Sequence, residues 1–153
     1  MVELFSGDTQ RGSLTVVQLR LGDTLVGAPA LRAPIVCGAV LADADWQETL
    51  FCDLIDDLIR HGVVYFAFYG PRCEEAHDLA DAVRDELLIS TDERVVMTTW
   101  HDRESLVDYL WFVGFAAMPS EGYSETGPVS YLIVEIGESA TGDLLSAVRE
   151  VFL

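Results

Sequence analysis

A chain of 153 residues that is half apolar can bury a substantial core, which excludes intrinsic disorder despite a formal net charge of −17. Its cations are nine arginines and no lysine, set against 26 acids, and such a surface repels phosphate backbones and anionic lipid, disfavouring nucleic-acid and membrane roles. Lysine and asparagine are both missing and share A/T-rich codons, which reads as a GC-rich bacterial genome; an acidic surface selected to attract a basic protein patch is the sharper reading.

The opening stretch, Met1 to Asp8, lacks the basic flank and apolar run of a signal peptide. The longest apolar stretch, Leu106 to Met118, is broken by Asp108 and too short to span a bilayer, so a cytoplasmic location is expected. The cysteine count is odd, and Cys37 and Cys52 fall on apolar faces, which argues against a disulfide framework. Residues 1–33 read as an N-terminal extension, within which Leu14 to Leu19 forms an added edge strand.

From residue 34 to 153, short apolar runs alternate with helical periods in four β-α units. Ile35 to Leu41 is a strand; Asp45, with Glu48 three residues on, then N-caps a helix that runs to about Arg60 and stops at His61-Gly62. Val63 to Tyr69 is the second strand, and Gly70-Pro71 turns into a helix ending near Ser90. Val95 to Trp100 is the third, followed by a helix from Ser105 to Met118 that Asp102 can cap. After a polar loop, Tyr131 to Ile136 is the fourth strand and Thr141 to Phe152 the closing helix. The whole chain reads as a single α/β domain: a three-layer, doubly wound, mostly parallel sheet of at least four strands, Rossmann-like or flavodoxin-like, in the order second-first-third-fourth.

Ligands of such sheets bind beyond the carboxyl ends of the strands. That rule selects Asp43, Asp45 and Trp46 after the first strand, and Gly70, Arg72, Cys73 and His77 after the second. Trp100, His101 and Asp102 mark the third, and Gly137, Glu138 and Ser139 the fourth. The binding candidates are Asp43, Trp46, Arg72, Thr99, Trp100, Asp102 and Glu138. Cys73, at a helix start beside Arg72, is placed for a lowered pKa and for attack as a nucleophile, with His101 or His77 as base; a buried structural cysteine is the bland alternative. Cys73, His77 and His101 could converge on an ion, but no paired metal motif supports it, and no metal is expected.

Asp43-Ala44-Asp45 is similar to the Asp-x-Asp of haloacid-dehalogenase-type phosphatases, but the lysine and later acidic pair of that family are missing, and helix capping by Asp45 accounts for the pair. Neither Gly-x-Gly-x-x-Gly nor Gly-Lys-Ser/Thr follows a strand, and Gly-x-Ser-x-Gly is absent, so no nucleotide cofactor is expected. Tyr69-Gly70-Pro71-Arg72-Cys73, the string Val96-Met97-Thr98-Thr99-Trp100-His101 and the pair Trp111-Phe112 together resemble a family of uncharacterised bacterial domains. That resemblance implies no activity; it points to Cys73, Thr99, Trp100 and His101 as a shared rim.

Two functions fit these features. One is an acidic, regulatory or immunity-type module that binds a basic protein partner; the other is an enzyme with Cys73 as nucleophile and a histidine base. The helix from Leu106 to Met118 is apolar almost all round, so either the N-terminal segment or a second copy in a homodimer must cover it. With no basic stripe to release counterions, the protein is expected not to bind duplex DNA or RNA at physiological salt, and a retarded band at submicromolar protein in a gel shift would contradict this.

Overall fold

The computed structural model of the chain describes residues 1–23, 31–87, 94–124 and 129–153. In order run β1 (Val2–Thr9), β2 (Gly12–Leu19), β3 (Ile35–Leu41), α1 (Glu48–Arg60), β4 (Val63–Tyr69), α2 (Cys73–Glu86), β5 (Met97–His101), α3 (Leu106–Phe115), α4 (Glu121–Ser124), β6 (Ser130–Ile136) and α5 (Gly142–Phe152). The strands form one six-stranded sheet, β1-β2-β6-β3-β4-β5, parallel except for the β1–β2 hairpin. β3 and β6 are buried along their whole length, which is why β3 reads as an unbroken apolar run and β6, after Ser130, as one interrupted only by Glu135.

The α/β class and the mostly parallel sheet agree with the sequence reading, but the strand order does not. Over the four strands starting near Ile35, Val63, Val95 and Tyr131 it is fourth-first-second-third, not second-first-third-fourth. The crossovers through α1 and α2 lie on one face and each step one strand in the same direction. Reversal waits for the connection from β5, which returns across the other face through α3 and delivers β6 to the free side of β3. Local periodicity records each β-α unit but not the unit at which the direction turns.

β2 is also not an edge. It lies between β1 and β6, with Leu14, Val16, Val17 and Leu19 buried, and the edge belongs to β1, whose burial alternates between exposed and half-buried. β1 escaped the sequence reading because such a strand carries few apolar residues.

Several helix ends move. α1 starts at Glu48 with Gln47 at its N-cap and no side-chain cap; Asp45 instead donates its backbone N–H to Asp43 Oδ1 at 3.0 Å in a local turn. Ser105, not Asp102, caps α3, its Oγ accepting from Asp108 N at 3.1 Å. α2 ends at Glu86, and the expected end near Ser90 lies outside the described residues.

One apolar cluster fills the space under α1 and α2, and a second lies under α3 and α5. In the second, Gly38 is the point of closest approach: a Cβ there would lie 2.9 Å from both Ile133 Cδ1 and Tyr109 Oη. The gap admits Tyr109, fully buried, whose hydroxyl donates to the Ala67 carbonyl at 2.8 Å. The apolar circumference of α3 is covered in part by the N-terminal hairpin. Leu4 and Phe5 pack against the cluster, and the Arg11 guanidinium lies 3.2 Å over the Phe115 ring, while Trp111 remains 55% exposed. No described helix is long and apolar enough to cross a membrane.

Gly38→Ala is expected to lower stability by about 1–3 kcal/mol through overpacking, and Tyr109→Phe by about 1 kcal/mol through the lost hydrogen bond, both read from urea unfolding midpoints.

Candidate functional site at the carboxyl rim of the sheet

The chain leaving β3 turns to α1 on one face, and the chain leaving β6 turns to α5 on the other. The gap between these neighbouring strand ends is the position where open sheets take ligands. A cleft opens on each face beside it.

The α1-side cleft, about 220 Å³, is lined by Arg20, Leu21, Asp43, Asp45, Trp46, Gln47, Leu50, Ile136, Gly137 and Glu138. It gathers three of the expected binding residues, Asp43, Trp46 and Glu138. Arg72 braces it from behind: its guanidinium lies 3.9 Å over the Trp46 ring, donates to the carbonyls of Ala44 and Trp46 at 3.0 Å each, and pairs with both Glu75 oxygens at 2.8 and 2.7 Å. Its backbone adopts φ 61°, a conformation uncommon outside glycine, to aim that side chain back over the loop.

The α3-side cleft, about 470 Å³, has Tyr69, His101, Asp102, Glu104, Glu135, Thr141 and Asp143 in its lining and no arginine. Glu135 is fully buried and is held by neutral donors, the Thr141 backbone N–H at 3.1 Å from both carboxylate oxygens and the Thr141 hydroxyl. His101, 6% exposed, places Nδ1 2.9 Å from Glu104 Oε1 and Nε2 3.1 Å from Thr99 Oγ1. A carboxylate only accepts, so Nδ1 donates, and a neutral ring then accepts from Thr99 through Nε2. Tyr69 stacks on Tyr109 with centroids 4.8 Å apart and donates to the Glu104 carbonyl at 3.3 Å.

Strand alternation divides the expected rim. Thr99 and His101 face α3, whereas Trp100, 42% exposed, faces α2, where its ring lies 4.6 Å from His77. His77 is held by Asp78 at 2.9 Å and Asp81 at 3.6 Å. Cys73 lies in the cluster on the opposite side of the sheet from the His101 ring and is 2% exposed. Burial pushes its thiol above the usual range, against the expectation from the helix start; Asp102 adds to the rise, and backbone hydrogen bonding from His101 and Glu74 offsets only part of it. Among the described residues no group of three histidine, cysteine or acidic side chains is arranged to hold a metal ion.

Glu104, Glu135 and Asp143 were not among the sequence candidates. Glu135 had a signal, a single carboxylate inside an apolar strand run; Glu104 had only its spacing of three from His101.

The chain belongs to the family described as a domain of unknown function, DUF7684, which matches residues 15–151 and so takes in both clefts. The resemblance to a family of uncharacterised domains is borne out. No curated protein matches the chain.

The cysteine environments give a labelling order. Cys37, fully buried with its thiol pushed up to about 12, and Cys73 are expected to alkylate only as the protein opens, while half-buried Cys52 reacts first, as site-resolved mass spectrometry near neutral pH would show.

Proposed function

We propose that this member of the family is an acidic binding module, of a regulatory or immunity type, that takes an arginine or lysine side chain of a basic protein partner into the α3-side cleft. The observation that carries this reading is Glu135, a fully buried carboxylate whose hydrogen bonds come from neutral donors in a cleft with no arginine in its lining. Buried charges are ordinarily paired, and a guanidinium entering from a partner would supply the missing counter-charge. Glu104, Asp102 and Asp143 stand around the same opening, and Tyr69 offers a ring to the incoming side chain. The net charge of −17 would steer a basic partner towards this rim over long range.

A second reading, an enzyme using His101 as a base, is favoured by the Thr99–His101–Glu104 chain of hydrogen bonds, which orients the imidazole. It lacks the activated nucleophile that Cys73 was expected to supply, because burial raises that thiol. Pairing of two copies through the exposed Trp111 on α3 is a separate proposal, to be read from sedimentation.

An arginine-rich peptide is expected to bind with an affinity that falls steeply with salt, and Glu104→Gln with Asp143→Asn together should weaken it roughly tenfold, about 1.4 kcal/mol, in fluorescence anisotropy. Salt-independent binding, or full affinity in the double variant, sinks the reading.

A further inference from the structure

The two edges of the sheet are built differently. β1 carries exposed Glu3 and Asp8 and a register irregularity between Glu3 and Phe5, devices that keep an edge from pairing further. β5, the other edge, has neither: Met97-Thr98-Thr99-Trp100-His101 holds no acid, arginine or proline, and its register with β4 is regular. Among the described residues no strand pairs with its outer side, where backbone groups that do not bond β4 are on offer. This short strand also leaves a large apolar side chain exposed on each face. Met97, 39% exposed, lies on the α3 face with Thr99 and His101, and Trp100, 42% exposed, on the α2 face with Thr98.

Charge limits what could pair there. A basic peptide finds no carboxylate on β5 itself to recognise it. Two copies of a chain with net charge −17 repel each other, and least so at an edge free of acids. The strand is also self-complementary when antiparallel. Paired about Thr99, it sets Thr99 opposite Thr99, Thr98 opposite Trp100 and Met97 opposite His101, with no like charges opposed and each pair on one face. The same register continues past the strand to bring exposed Arg94 of each copy towards exposed Glu104 of the other, so the flanking charges are of opposite sign.

We propose that two copies of the chain pair antiparallel through β5 about a two-fold axis at Thr99, joining their six-stranded sheets into one and covering Met97 and Trp100. This interface is distinct from the α3 surface around Trp111 and does not depend on what occupies either cleft.

The test is sedimentation velocity of the full chain in about 0.5 M sodium chloride, which screens the repulsion between acidic copies. A dimer is expected to be populated by about 100 μM. Met97→Glu and Trp100→Glu, at exposed positions, should each weaken it by about tenfold or more, because they set a carboxylate towards the Glu104 and Asp81 that bond His101 and Thr98 of the second copy. Trp111→Glu should leave it unchanged. Thr99→Cys in a Cys52→Ser background should form a disulfide between copies on mild oxidation, since opposed residues of an antiparallel pair lie within its reach, whereas Ser6→Cys on β1 in the same background should not. A monomer at that concentration, a dimer that Trp111→Glu dissolves and Met97→Glu spares, or a Thr99→Cys protein that stays unlinked overturns the proposal.

Discussion

The hydroxyl of Tyr109, donated at 2.8 Å to the carbonyl of Ala67, ties α3 to the middle of the sheet, and the α3-side rim depends on it. The ring can reach that carbonyl only because residue 38 is glycine. Once seated, Tyr109 serves as a platform: Tyr69 stacks on it, and the His101 ring meets it edge-on with centroids 5.4 Å apart. Tyr69 and His101 in turn hold Glu104, one through its carbonyl and the other through its carboxylate. A single buried hydrogen bond therefore orients several side chains of the cleft, in the way that one fixed member of a polar network constrains the rest.

The backbone contributes a second constraint. At Gly70, φ is +103° and a Cβ would collide with the carbonyl oxygen of Leu41, so the exit from β4 presses against the end of β3 in a way open only to glycine. Two residues on, Arg72 turns its guanidinium across the Trp46 ring. The two clefts thus share a wall made of strand ends, and the close fit at Gly70 together with the reach of Arg72 keeps that wall in one place.

Much of this was legible in the sequence. The apolar runs at Ile35 to Leu41 and at Tyr131 to Ile136, the latter interrupted only by Glu135, announce buried parallel strands, and the rule that ligands sit beyond strand ends brought Asp43, Trp46 and Glu138 to one cleft. What failed was set by contacts distant in sequence. The return of β6 to the far side of β3 is decided by packing over the second face, not by any local pattern. For Cys73 the helix start and the neighbouring Arg72 argue for a lowered pKa and the apolar stripe of α2 for burial; the cluster beneath α1 and α2 supplies its surroundings, and desolvation there outweighs the dipole. Asp45 looked like a cap because capping residues and turn residues are the same types; the turn to Asp43 claimed it first.

The place of β2 bears on how the chain can assemble. β2 lies far from its parallel partner β6 along the chain, with all the other described strands except β1 between them. Until β6 arrives, the β1–β2 hairpin has only its own internal pairing, and isolated hairpins are marginal in water. The units from β3 to β5 can pair with their neighbours in sequence, but closure of the sheet joins β2 to the distant β6 and carries the entropy cost of that long loop. Such a topology favours late, cooperative completion, with one side of β3 and the side of β2 away from β1 both open to wrong pairing until β6 slots between them.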